Sequence, residues 1–205
     1  MELCAWEADG SIGASEMAPL RLPATPEARA PVIATVLAAI KESDPGFDAG
    51  SLLRDLPGRY LAVRRAVTGE DDARLGVYLT TAVLQHWRES AAPAGAGDLS
   101  VQEVRLVWAE RVLWEDRLTV GIDSLAVEDE DVHAFTEYWT LARRRGLTTD
   151  AAPSGECAQC GAPARQGDDL CRYCGSELAG PLRGWLLDRV DREIDWYEGP
   201  PGVVV

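Results

Sequence analysis

Four cysteines have the residue type and the spacing to do chemistry. The chain reads Cys157-Ala158-Gln159-Cys160-Gly161, and later Cys171-Arg172-Tyr173-Cys174-Gly175. Each pair is two thiols three positions apart, followed by a glycine that permits a tight backbone path. Such a turn aims both sulfurs at one spot. Two of them offer four thiolates to a tetrahedral ion at about 2.3 Å, the closed coordination of structural Zn2+. The ten residues from Gly161 to Leu170 are a short spacer for such a site but enough for a compact ribbon. Two disulfides, or a redox Cys-x-x-Cys that occurs twice, are the competing readings. The chain starts Met1-Glu2-Leu3-Cys4, with no basic stretch and no apolar core, so no secretory signal is expected. A cytoplasmic, reducing location favours metal over disulfide. Cys4 is left over and reads as a small apolar residue.

Other reactive groups are scattered. His86 ends an apolar helical stripe and reads as a hydrogen-bonded core histidine. Glu137 shares strand parity with Phe135 and Trp139. It is the candidate for acid/base catalysis in a dry cavity, with Tyr78 or His86 as its donor, or else one half of a structural ion pair. Serine-nucleophile signatures, phosphate-binding glycine loops and dinucleotide fingerprints do not occur.

Charge narrows the partners. The 205 residues carry a formal net charge of -14, which repels polyanions. Around the cysteines, from 151 to 178, the bases Arg165 and Arg172 face the acids Glu156, Asp168, Asp169 and Glu177. A ribbon that reads nucleic acid needs the opposite sign, so no nucleic-acid partner is expected. Arg143-Arg144-Arg145 is the one basic run, a solvated strand end or a dock for an acidic partner or lipid headgroups. The longest apolar run, Ala30 to Ile40, is too short to span a membrane.

The elements that must position these groups follow from periodicity. Residues 1–27, broken by Pro19, Pro23 and Pro26, read as an extended or partly disordered arm. A helix is predicted over 27–42, capped by Thr25, with Val32, Val36, Leu37 and Ile40 on one face. A second carries Leu53, Leu56, Tyr60, Val63 and Val67, and Pro57-Gly58 should kink or divide it. A third opens at Asp71-Asp72 and runs through Leu75, Leu79 and Val83 to His86. The period then drops to two. Val104, Leu106 and Trp108 alternate with Arg105 and Val107, and Leu118, Val120 and Ile122 with Thr119 and Gly121, while Phe135, Trp139 and Leu141 share a parity with His133 and Glu137. Glu115-Asp116 and the acidic Glu128–Asp131 read as turns, so an antiparallel meander is expected. Residues 182–195 fit either a strand or a helix.

Helices followed by an antiparallel sheet make an α+β layout. Four segments go further. They are Asp44-Pro45-Gly46-Phe47-Asp48, Thr68-Gly69-Glu70-Asp71, Glu137-Tyr138-Trp139-Thr140-Leu141-Ala142-Arg143, and Gly184-Trp185-Leu186-Leu187-Asp188-Arg189-Val190. In this order, over roughly 30 to 195, they resemble the Tim-forty-four-like family, and in particular its bacterial members with a ribbon before the last strand. The resemblance implies a strongly curved sheet wrapped around helices, the cone of the nuclear-transport-factor-two-like or cystatin-like type, with an apolar cavity. Tyr60, Leu79, Val83, His86, Trp108, Glu137 and Trp139 are the candidate lining.

The expected organisation is an arm at 1–27, an α+β domain over 28–150 and 180–197, a Cys4 zinc ribbon inserted at 151–179, and a tail at 198–205. The expected function is a non-enzymatic binding or scaffold protein whose cavity or sheet face holds another protein's segment or an apolar ligand. Acid/base catalysis at Glu137 is the alternative, ahead of nucleic-acid binding. Many relatives of this kind carry a membrane anchor and this sequence shows none, so membrane contact would be peripheral.

Overall fold

The computed structural model describes residues 20–68, 75, 77–89, 98–128, 131–150, 156–157, 159–163, 170–178 and 181–197. The arm before Leu20, Cys4, Trp6, the Asp71-Asp72 helix start, the His86 side chain and the 198–205 tail lie outside the described residues.

Strand β1 (Arg21–Pro23) leads into helix α1 (Pro26–Ser43). Thr25 caps α1 as its type predicts, accepting from the Ala28 N–H at 3.2 Å. Asp44 ends the helix, and α2 (Ala49–Thr68) follows. Pro57-Gly58 does not divide the helix: α2 runs from Ala49 to Thr68 with Pro57 inside it. Leu52, Leu56, Tyr60 and Val63 are all buried along it. That apolar stripe holds both halves to the sheet, which offsets the hydrogen bond that proline removes.

The predicted helix from Asp71 to His86 is divided instead. Leu79 forms a parallel bridge to Leu187, and the Thr80 N–H donates to Leu187 O at 2.9 Å. Helix α3 (Thr81–Glu89) starts only after that bridge. A free sheet edge thus captured residues whose spacing alone is helical.

The sheet has four antiparallel strands in the order β2-β3-β4-β5: Asp98–Arg111, Glu115–Glu128, Asp131–Arg144 and Leu186–Asp191. The meander is as expected, and 186–191 is a strand beside β4, with Trp139 opposite Val190. Glu115 and Asp116 are not a turn. They open β3, and Asp116 is buried against Arg111 at 2.7 Å. The sheet is not strongly curled, contrary to expectation. β3 and β4 pair without a bulge from Glu115–Arg144 to Glu128–Asp131, so the device that bends long strands is missing at the centre.

Register decides which side chains meet. Leu118 lies opposite Leu141, Val120 opposite Trp139, and Ile122 opposite Glu137, all on the face that packs on the helices. In β2, Leu106 opposes Val120, but Trp108 opposes Thr119. The register shift at Val107 turns Trp108 to the other face. There it packs with Tyr138 beside Leu22, Val107 and Ile194. The short strand β6 (Asp195–Tyr197) pairs in parallel with β1 at this second cluster. Trp196 lies edge-on to Tyr138 at 6.3 Å, and the Arg29 guanidinium stacks over it at 4.5 Å. Among the described residues, no helix is long and apolar enough to cross a membrane.

Candidate metal centre

The two cysteine segments fold into matching knuckles. In the first, the Gly161 N–H returns to Cys157 O at 2.8 Å and the Cys157 N–H donates to Ala162 O at 2.8 Å. In the second, Gly175 N–H reaches Cys171 O at 2.7 Å and Cys171 N–H reaches Ser176 O at 2.8 Å. A short antiparallel bridge frames each knuckle, Glu156 with Pro163 and Leu170 with Glu177. Gly161 and Gly175 hold φ of 70° and 77°, a left-handed turn that a Cβ would strain.

The knuckles bring their sulfurs together. All four Sγ atoms lie within 4.8 Å of one another. Cys157 to Cys174 is 3.7 Å and Cys160 to Cys171 is 3.8 Å. A tetrahedron of thiolates at about 2.3 Å from a central ion has edges of about 3.8 Å, so the donor set and its size fit one metal ion. A disulfide needs about 2.05 Å, and the four thiols are free.

Ser176 completes the site, and sequence reading missed it. Its buried Oγ lies 3.0 Å from Cys157 Sγ and 3.1 Å from Cys174 Sγ. Comparing the knuckles would have found it: the residue after the glycine is Ala162 in one and Ser176 in the other. Burial opposes ionisation of Cys157, yet the Ser176 hydroxyl and the N–H groups of Cys160 and Gln159 draw its thiol down to about 6. At Cys160 the Ala162 N–H favours the thiolate, but burial and the three neighbouring sulfurs prevail and push it up to about 12. Holding all four sulfurs as thiolates in this space would take a cation at their centre.

The ribbon is tied to the domain at both stems. The Arg183 guanidinium donates to Thr148 O and Asp150 O, which joins the two ends of the segment between β4 and β5. Arg59 of α2, also buried, donates to Trp185 O, to Leu182 O at 3.1 Å and to Glu177 at 3.0 Å. Neither arginine was singled out from sequence. A pocket of about 400 Å³ opens beside Arg59, walled by Asp55, Tyr78, Glu177, Pro181 and Leu182.

The other candidates separate. Tyr60, Leu79, Val83 and Trp139 are buried together in the main core, with Tyr60 and Trp139 rings 4.8 Å apart. Trp108 is on the opposite face and does not join them. Glu137 points inward as its parity predicts and is 2% exposed. Its partner is Arg64, at 3.1 Å. Burial first, and then the Glu137 charge, push the Tyr60 hydroxyl above its ordinary value, so it stays protonated.

Arg143 does not belong to a basic patch. It is 1% exposed and pairs with the buried Asp44 at 2.9 Å. Its guanidinium lies over the rings of Trp185 at 4.7 Å and Phe47 at 5.5 Å. Only Arg144 and Arg145 are exposed. No protein-family model matches the chain, and no curated protein matches it either.

Proposed function

We propose that the chain is a non-enzymatic binding or scaffold protein in which a structural zinc ion closes the ribbon and holds a docking face rigid. The observation that carries this is the tetrahedral spacing of four sulfurs on two knuckles whose stems are bonded into the domain. Cys157, Cys160, Cys171 and Cys174 would be the ligands, and all four positions of a tetrahedral ion would be filled by protein, the pattern of a structural site. A reducing compartment such as the cytoplasm suits four free thiols. The engagement of Glu137 by Arg64 supports an ion pair at that position over the catalytic alternative.

Membership in the Tim-forty-four-like family is part of this proposal. Three of the four quoted segments meet at one buried point. Asp44 and Phe47 come from the first, Arg143 from the strand segment and Trp185 from the last. Residues far apart in sequence that build one buried ion pair between aromatic rings give these segments a shared physical reason to occur together. Of the family's architecture, the proposal keeps helices laid on one face of an antiparallel sheet, and a partner protein or apolar ligand as the thing bound.

Metal analysis tests the centre: one zinc per chain, lost in Cys160→Ser. Cadmium or copper in its place, or an unmetallated chain with native stability, would sink the reading.

A further inference from the structure

The turn between β2 and β3 carries an apolar pair that stands exposed among the described residues. Leu113 is 81% exposed and Trp114 is 79% exposed. The backbone around them is fixed. Val112 N–H donates to Glu115 O at 3.0 Å, Arg145 N–H to Trp114 O at 2.8 Å, and the Arg145 side chain to Leu113 O at 3.3 Å. With the backbone held and both side chains facing solvent, the apolar area stays in water until something binds it. Arg144 and Arg145 stand beside it, exposed, in a chain whose net charge is -14. An indole and a leucine next to two arginines has the composition of an interface anchor.

The same chain offers a socket of matching chemistry. The pocket of about 400 Å³ between α2 and the ribbon exit has Gly58, Ala62, Tyr78, Pro181 and Leu182 as apolar surface. Asp55 and Glu177 stand on its wall. Arg59, its one cation, is engaged by Glu177 and by the carbonyls of Leu182 and Trp185. The size is in the range that takes a group as large as an indole. Leu182 leads through Trp185 to Arg143, which immediately precedes the exposed Arg144 and Arg145.

We propose that the Leu113–Trp114 tip docks in the Asp55–Glu177 pocket of a second copy of this chain, with Arg144 and Arg145 against the pocket's carboxylates. One copy carries both halves, so a two-fold arrangement lets each copy seat its tip in the other, and the dimer is the assembly proposed. Burying the indole supplies the affinity, and the charges set the orientation. The proposal does not depend on which metal the cysteines hold.

Sedimentation velocity on the full chain, run over a concentration series at low and high salt, is the test. The wild type should form dimers that weaken with salt. Leu113→Ser/Trp114→Ser should be monomeric with an unchanged circular dichroism spectrum, since both side chains are exposed. Asp55→Lys and Arg144→Glu should each raise the dimer dissociation constant about tenfold, and the two together should restore much of it. A wild type that stays monomeric overturns the proposal. So does a dimer untouched by the tip variant, or a charge exchange without rescue, which would place the tip in another partner or another surface.

Discussion

A guanidinium buried between two aromatic rings is stable only while its carboxylate stays ionised. For Asp44 burial works against ionisation, but hydrogen bonds from the Thr149 side chain and N–H, then the Arg143 contact, win and hold its carboxyl below the ordinary value. The sign follows. With the folded value lowered, the stabilisation is complete above the ordinary carboxylate range and fades as pH falls through the folded value. Urea midpoints should therefore drop on the acid side, and Asp44→Asn should flatten that limb. At neutral pH the same substitution strands Arg143 and should cost about 3–5 kcal/mol. Ser176→Ala makes a second residue-scale prediction. Losing the hydroxyl that faces Cys157 and Cys174 should weaken metal affinity by about 10–100-fold without changing the stoichiometry, measurable by chelator competition. The cluster of four cysteines was legible from spacing because each knuckle is local in sequence. The roles of Asp44, Arg59 and Arg183 were not, because each partner lies far along the chain or is a bare carbonyl, which no residue type announces.

At the scale of elements, period gave types correctly and gave boundaries and faces less well. The strands are longer than their alternating runs, because a ladder continues through polar residues once its neighbour is in place. Trp108 shows the limit of parity. One irregular residue at Val107 reverses every inference beyond it along β2. Leu79 and Thr80 show another, since a sheet edge outcompeted helical spacing. Pro57 shows a third, with local propensity overridden by the buried stripe on α2. That override leaves a cost in place, so Pro57→Ala should raise stability by about 1–3 kcal/mol. A fall in the urea midpoint would mean that the proline is needed for the helix's path over the sheet.

For the molecule as a whole, the proposed function makes the ribbon a closed connection in the domain. The segment from Asp150 to Arg183 would be a long and entropically costly loop without internal ties. The knuckles tie it in the middle and Arg183 at its base. Removing the ion by chelation, or with Cys160→Ser, should lower the melting of sheet and helices together, followed by far-UV circular dichroism and tryptophan fluorescence. Helices and sheet that melt unchanged would make the ribbon an independent module. The α+β class and the meander were readable because both rest on repeated local patterns. The absence of strong curl was not, since curvature depends on where bulges fall.

The parallel pairing of β1 with β6 carries a consequence for biosynthesis. Residues 21–23 leave the ribosome long before 195–197, their strand partner among the described residues. Until then Val107, Trp108 and Tyr138 have no cover from Ile194 or Trp196. The helical face lacks only Leu182 to Val190 until the same late stage, while the opposite face lacks its whole strand cover, a window in which nascent chains are open to chaperones and to misassembly.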